Sequence, residues 1–60
     1  MAYVLLRYHG YPSDTTDLRS TIDAAFAVAL VRRWHREHPD EGLIVAINEH
    51  IIVHCPPGQR

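Results

Sequence analysis

Residues 24–31, Ala-Ala-Phe-Ala-Val-Ala-Leu-Val, are eight consecutive apolar positions in a chain of 60. Four of the eight are alanine, the strongest helix former, so the run reads as the middle of a helix. It falls far short of the ~20 residues that cross a bilayer, which excludes a membrane helix. Ser13 to Asp17 offers side chains that can cap free backbone N–H groups, and Pro39 disfavours helical backbone in the residue before it. Asp14, Asp17 and Asp23 lie toward the start, and Arg32, Arg33 and Arg36 toward the end, the order that complements a helix dipole. These signals predict one long helix over about residues 15–38.

Such a helix is apolar on too many sides for one small sheet. With Ile22 at zero and about 100° per residue, Phe26, Leu30 and Trp34 fall at roughly 40°, 80° and 120°, a stripe expected to face the sheet. Val31, Ala24 and Val28 fall at roughly 180°, 200° and 240°, off that stripe. A helix that is hydrophobic all round is normally buried all round. The surplus predicts a partner surface through Ala24, Val28 and Val31, most simply a second copy, because two-fold dimers are the commonest oligomers.

Three runs read as strands. Residues 2–9 are rich in Tyr, Val and Leu and are closed by Gly10-Tyr11-Pro12. Alternation puts Val4, Leu6 and Tyr8 on one face and Tyr3, Leu5, Arg7 and His9 on the other, which the Arg and His mark as the wetter one. Residues 43–47 and 51–55 flank Asn48-Glu49-His50 as a hairpin. A three-residue loop pairing Ile47 with Ile51 is preferred to a two-residue loop pairing Ile47 with His50. It groups Leu43, Val45, Ile47, Ile51, Val53 and Cys55 on one face and leaves Ile44, Ala46, His50, Ile52 and His54 on the other. Ile44 and Ile52 then extend the expected interface onto the far face of the sheet.

The expected fold class is α+β: a single β-α-β-β domain over residues 1–55, with one long helix on a three-stranded, mainly antiparallel sheet. A central third strand makes every neighbouring pair antiparallel and is preferred; the alternative is a central second strand, parallel to the first through a right-handed crossover. Pro56-Pro57-Gly58-Gln59-Arg60 is read as a frayed tail. A chain this short buries only about 60% of its unfolded surface, so small domains commonly add disulfides, a metal or association. Cys55 is the single cysteine, which excludes a disulfide within the chain. With strand-like residues directly after Met1, a reduced thiol points to the cytoplasm.

Formal net charge is −1 with neutral histidines, and the six basic residues are all arginine. That balance lacks the positive excess usual in nucleic-acid domains. Arg32, Arg33 and Arg36 nevertheless span roughly 100° of the helix near its C-terminus, a ridge able to grip carboxylates or phosphates. An acidic protein partner is favoured over nucleic acid. His35 and His38, three apart on a helix, are the best-placed metal ligands, but two ligands fall short of the usual four of a structural zinc site. Cys55 reads as a small core residue, and Asp40 and Glu41 as solvated loop charges. No glycine-rich phosphate loop exists, since Gly10, Gly42 and Gly58 are isolated.

The expectation is therefore a non-enzymatic interaction module without a cofactor: a homodimer that binds another macromolecule as an inhibitor or adaptor. A nucleic-acid-binding module using the arginines and a small His-ligated metal protein are the alternatives.

Overall fold

The computed structural model describes residues 2–58. Five elements follow in order: β1 (Tyr3–Tyr8), β2 (Thr15–Thr21), α1 (Ala24–Glu37), β3 (Gly42–Ile47) and β4 (His50–Cys55). The strands form one sheet in the order β2-β1-β3-β4, with every neighbouring pair antiparallel. The α+β class stands, but the sheet has four strands rather than three, and the helix begins at residue 24 rather than 15.

The added strand is β2, and its residues explain both roles. Thr15, Thr16 and Thr21 are β-branched and suit a pleated backbone as well as a helix entrance. Tyr11-Pro12-Ser13-Asp14 closes a turn, with the Asp14 N–H donating to the Tyr11 carbonyl at 2.9 Å, and Pro12 holds the position where proline pre-sets φ. That turn returns the chain along β1. The helix cap is Asp23, whose carboxylate accepts from the Phe26 N–H at 3.1 Å. The helix ends as expected before Pro39, with the His38 N–H donating to the Trp34 carbonyl at 2.8 Å.

One extra strand also reverses the direction of everything after it. A three-strand reading makes β1 and β3 run the same way. With β2 inserted, β3 runs against β1 and pairs with it directly, Leu5 opposite Val45 and Leu6 opposite Ile44. β1 and β3 are therefore the central strands, and β4 forms an edge rather than the preferred centre. The alternative with the 43–47 strand beside both others matches the order, but that strand pairs with β1 antiparallel, not parallel.

The helix covers the sheet face carrying Leu5, Leu43 and Val45, which are buried together with Ala27 and Val31. This corrects two expectations. The face marked as wetter by Arg7 and His9 is the one that packs on the helix, because those two residues lie at its end, beside Glu41. The fully buried seam of the helix runs through Ala27 and Val31; of the expected stripe Leu30 and Trp34 are half-buried and pack against this core, whereas Ile22 and Phe26 are 83% and 40% exposed. Val31 is fully buried within a single chain, Val28 is half-buried and Ala24 is exposed.

The β3–β4 hairpin uses the two-residue loop. Ile47 pairs with His50, and Asn48 and Glu49 have φ of 51° and 66°. Positive φ at both central positions is the condition for the tight turn that matches strand twist. The register then slips between Val45 and Ala46: Ala46 faces Ile51 while Val45 faces Val53. This bulge, with Ile52 as its extra residue, restores the expected grouping of Leu43, Val45, Val53 and Cys55 on the helix side, and Ile47 keeps that face by alternation; Ile51, opposite Ala46, does not. A second slip lies in β2, where Leu5 faces Arg19 and Leu6 faces Asp17, leaving Leu18 between them.

Residues 56–58 are held against the helix end. The Gly58 N–H donates to the Pro39 carbonyl at 2.6 Å, and the His35 Nε2 lies 2.9 Å from the Pro56 carbonyl. The remainder of the expected frayed tail, residues 59 and 60, lies outside the described residues. No helix among the described residues is long and apolar enough to cross a membrane.

Candidate functional site

The sheet face away from the helix carries the most distinctive surface. Register places Val4, Leu6 and Tyr8 of β1 beside Ala46, Ile44 and Gly42 of β3 on this face. Tyr8 and Ile44 are buried within their own layer. Ile44 is flanked by Leu6 and His54, and the Tyr8 ring lies over Gly42, where a Cβ would stand 2.1 Å from the ring. The Tyr8 hydroxyl shares a 2.5 Å hydrogen bond with His54 Nε2. Val4, Leu6 and Ala46 are half-buried, and Ile51 and Ile52 at the bulge are 60% and 46% exposed. Thr15, Asp17 and Ser20 of β2 give the face a polar border. No element among the described residues packs across it. Of the expected interface residues, the structure puts Ile52 on this open face and Ile44 on the same side but buried between its neighbours, and separates both from Val31 in the core and Ala24 on the helix.

The arginine ridge is on the outer face of α1. Arg32, Arg33 and Arg36 are exposed, roughly opposite the Ala27–Val31 seam. Arg33 pairs with Glu37 one turn on, at 3.5 Å, in a solvated i,i+4 contact of small energetic value. The ridge therefore presents Arg32 and Arg36, with no such i,i+4 pair among the described residues, and Arg33 in a weak contact with Glu37.

The two helix histidines serve different partners. His35 reaches the Pro56 carbonyl, whereas the His38 ring stacks on Trp34 with centroids 4.7 Å apart and its Nδ1 is 3.2 Å from the Trp34 carbonyl. A ring nitrogen meeting a carbonyl must carry the proton in that contact. Among the described residues there is no group of three or more His, Cys, Asp or Glu side chains suited to hold a metal. Cys55 is half-buried and packs against the core.

A polar cluster not foreseen from sequence closes the helix end. Glu41, read as a solvated loop charge, is only 8% exposed. Its Oε1 accepts from the Trp34 indole N–H at 2.8 Å, and its Oε2 lies 3.5 Å from His9 Nε2 and 4.0 Å from an Arg7 nitrogen. The signal was present in alternation: once β3 is placed antiparallel to β1, Glu41 falls on the same face as Leu43 and opposite His9. The cluster satisfies a buried carboxylate and ties α1 to the sheet.

Searches against protein-family models, curated proteins and solved structures found no match to this chain.

Proposed function

We propose that this chain is a non-enzymatic protein-interaction module that works as a homodimer, joined through the open faces of two sheets, with the arginine ridge left free for an acidic protein. The observation that carries the reading is the uncovered apolar face built from Val4, Leu6, Ala46, Ile51 and Ile52. Sheets packed face to face interdigitate such side chains about 10 Å apart. Fully burying one Val, Leu or Ile side chain is worth roughly 1.5–3 kcal/mol, so several half-exposed ones supply a driving force comparable with the stability of a small domain.

The other two surfaces favour association less. Both edge strands carry a bulge, and bulges turn an edge away from pairing. The outer helix face is charged by the arginines and Glu37. The sheet face leaves that ridge outward on both subunits, where two copies would grip an inhibitory or adaptor target bidentately.

Light scattering at micromolar concentration tests the association. The dimer mass is expected for the wild type and the monomer mass for Ile52→Asp with an unchanged circular dichroism spectrum. A wild-type protein that remains a monomer overturns the dimer. The exposed Arg32 and Arg36 also support a second reading as a nucleic-acid module. That reading requires DNA or RNA binding that weakens steeply with salt, and no shift at low salt removes it.

A further inference from the structure

On the helix side, away from the proposed dimer face, α1 leaves a gap between itself and edge strand β2. The gap is a cleft of about 270 Å³ that reaches the core. Leu5, Val31 and Leu43, which are 0–1% exposed, lie beneath it, so its accessible surface is carried by the residues around them. Leu18, the extra residue of the β2 bulge, stands opposite Leu30 and Trp34 as its walls. The one charged lining group is Arg19, whose guanidinium is held 5.0 Å from the centre of the Phe26 ring.

We propose that this cleft binds a small amphipathic carboxylic acid, its hydrocarbon part between Leu18 and Leu30 and its carboxylate on Arg19. Size admits this: a dry apolar cavity of about 150 Å³ takes a benzene, and the open cleft is larger, so a short hydrocarbon chain can lie along it. Charge supports it too. A guanidinium matches the two oxygens of a carboxylate. Of the acidic groups toward this side, Glu37 is paired with Arg33 at 3.5 Å, and the Asp23 carboxylate is engaged in capping the helix at the Phe26 N–H. Asp17 lies on the opposite sheet face, paired with Leu6. An apolar slot with one cation at the rim thus selects a single anionic head and a short chain.

The site is independent of the dimer reading. Trp34 is the only tryptophan and lines the cleft, so its fluorescence reports occupancy directly. Decanoate titrated below its micelle concentration is expected to give a saturable change at one molecule per chain. Decylamine, of equal length and opposite charge, is expected to give none. Arg19→Gln, at an exposed edge position, is expected to weaken decanoate by about tenfold or more, the loss of one charged hydrogen-bonded partner. Leu18→Phe, which fills the slot, is expected to abolish binding, and Ile52→Asp to leave it unchanged. The proposal is overturned by a non-saturating response, by equal binding of decylamine, by an unaltered affinity in Arg19→Gln, or by loss of binding in Ile52→Asp. Arg19→Gln decides the matter even if Leu18→Phe fails to fold.

Discussion

The indole N–H of Trp34 donates to Oε1 of Glu41 at 2.8 Å, joining the last turn of the helix to the residue that leads into a central strand. The intervening turn is closed by the Glu41 N–H donating to the His38 carbonyl at 3.1 Å, across Pro39-Asp40. Backbone and side chain therefore fix Glu41 at the same point. Removing the carboxylate leaves a part-buried indole donor without its acceptor, which costs about 1–3 kcal/mol. Glu41→Ala is expected to lose that much in urea denaturation. Glu41→Gln keeps an acceptor oxygen and is expected to retain most of the stability, because the contact to Arg7 at 4.0 Å is long and partly solvated. Equal losses in the two variants would assign the stabilisation to charge instead.

Gly42 has no room for a side chain. A Cβ there would meet three atoms of the Tyr8 ring at 2.1–2.6 Å. Gly42→Ala must push the ring away and strain its bond to His54, and overpacking of this kind costs about 1–3 kcal/mol. In a Tyr8→Ala background the same substitution is expected to cost much less, since residues in contact do not behave additively. A double-mutant cycle from denaturation midpoints measures the difference, and an additive result would refute the contact.

The hairpin carries a local conflict at Glu49. Its φ of 66° lies in the left-handed region, which costs a non-glycine residue roughly 1–2 kcal/mol. Glycine escapes that cost but gives up about 0.5–1 kcal/mol of chain entropy. The balance favours Glu49→Gly by about 0.5–1 kcal/mol, the difference of the two terms. Thermal unfolding is expected to show a higher midpoint, whereas a lower one would contradict the turn geometry. Asn48, with φ of 51°, is already a residue type that tolerates this region.

Asp23 decides where the helix begins. Its carboxylate accepts from the Phe26 N–H, and its own N–H donates to the Thr21 hydroxyl at 3.1 Å. Asp23→Ala is expected to cost about 0.5–2 kcal/mol, and Asp23→Asn far less, because the amide oxygen still caps. Asp14→Ala and Asp17→Ala, in the turn and the edge strand, are expected to leave helix content unchanged by circular dichroism. Had the helix begun near residue 15, those two substitutions would have weakened it.

Sequence alone determined the local features whose causes lie within a few residues. The alanine-rich run is a helix, Pro39 ends it, residues 3–8 form a strand, and residues 43–55 form a hairpin, together an α+β chain. Tertiary structure decided the rest. Thr15 to Thr21 carries turn, cap and strand propensities at once, and only pairing against β1 selects the strand. That choice reversed β3, put Glu41 opposite His9, and opened the Leu18–Leu30 cleft. Two bulges then broke the strict alternation on which any reading of sheet faces from sequence depends. The helix turned Val31 inward and Phe26 outward because small Ala27 and branched Val31 allow close approach to Leu5, Leu43 and Val45. Side-chain pattern fixes which residues are apolar. Which of them meet depends on backbone pairing between segments far apart in the chain, and no local signal carries that information.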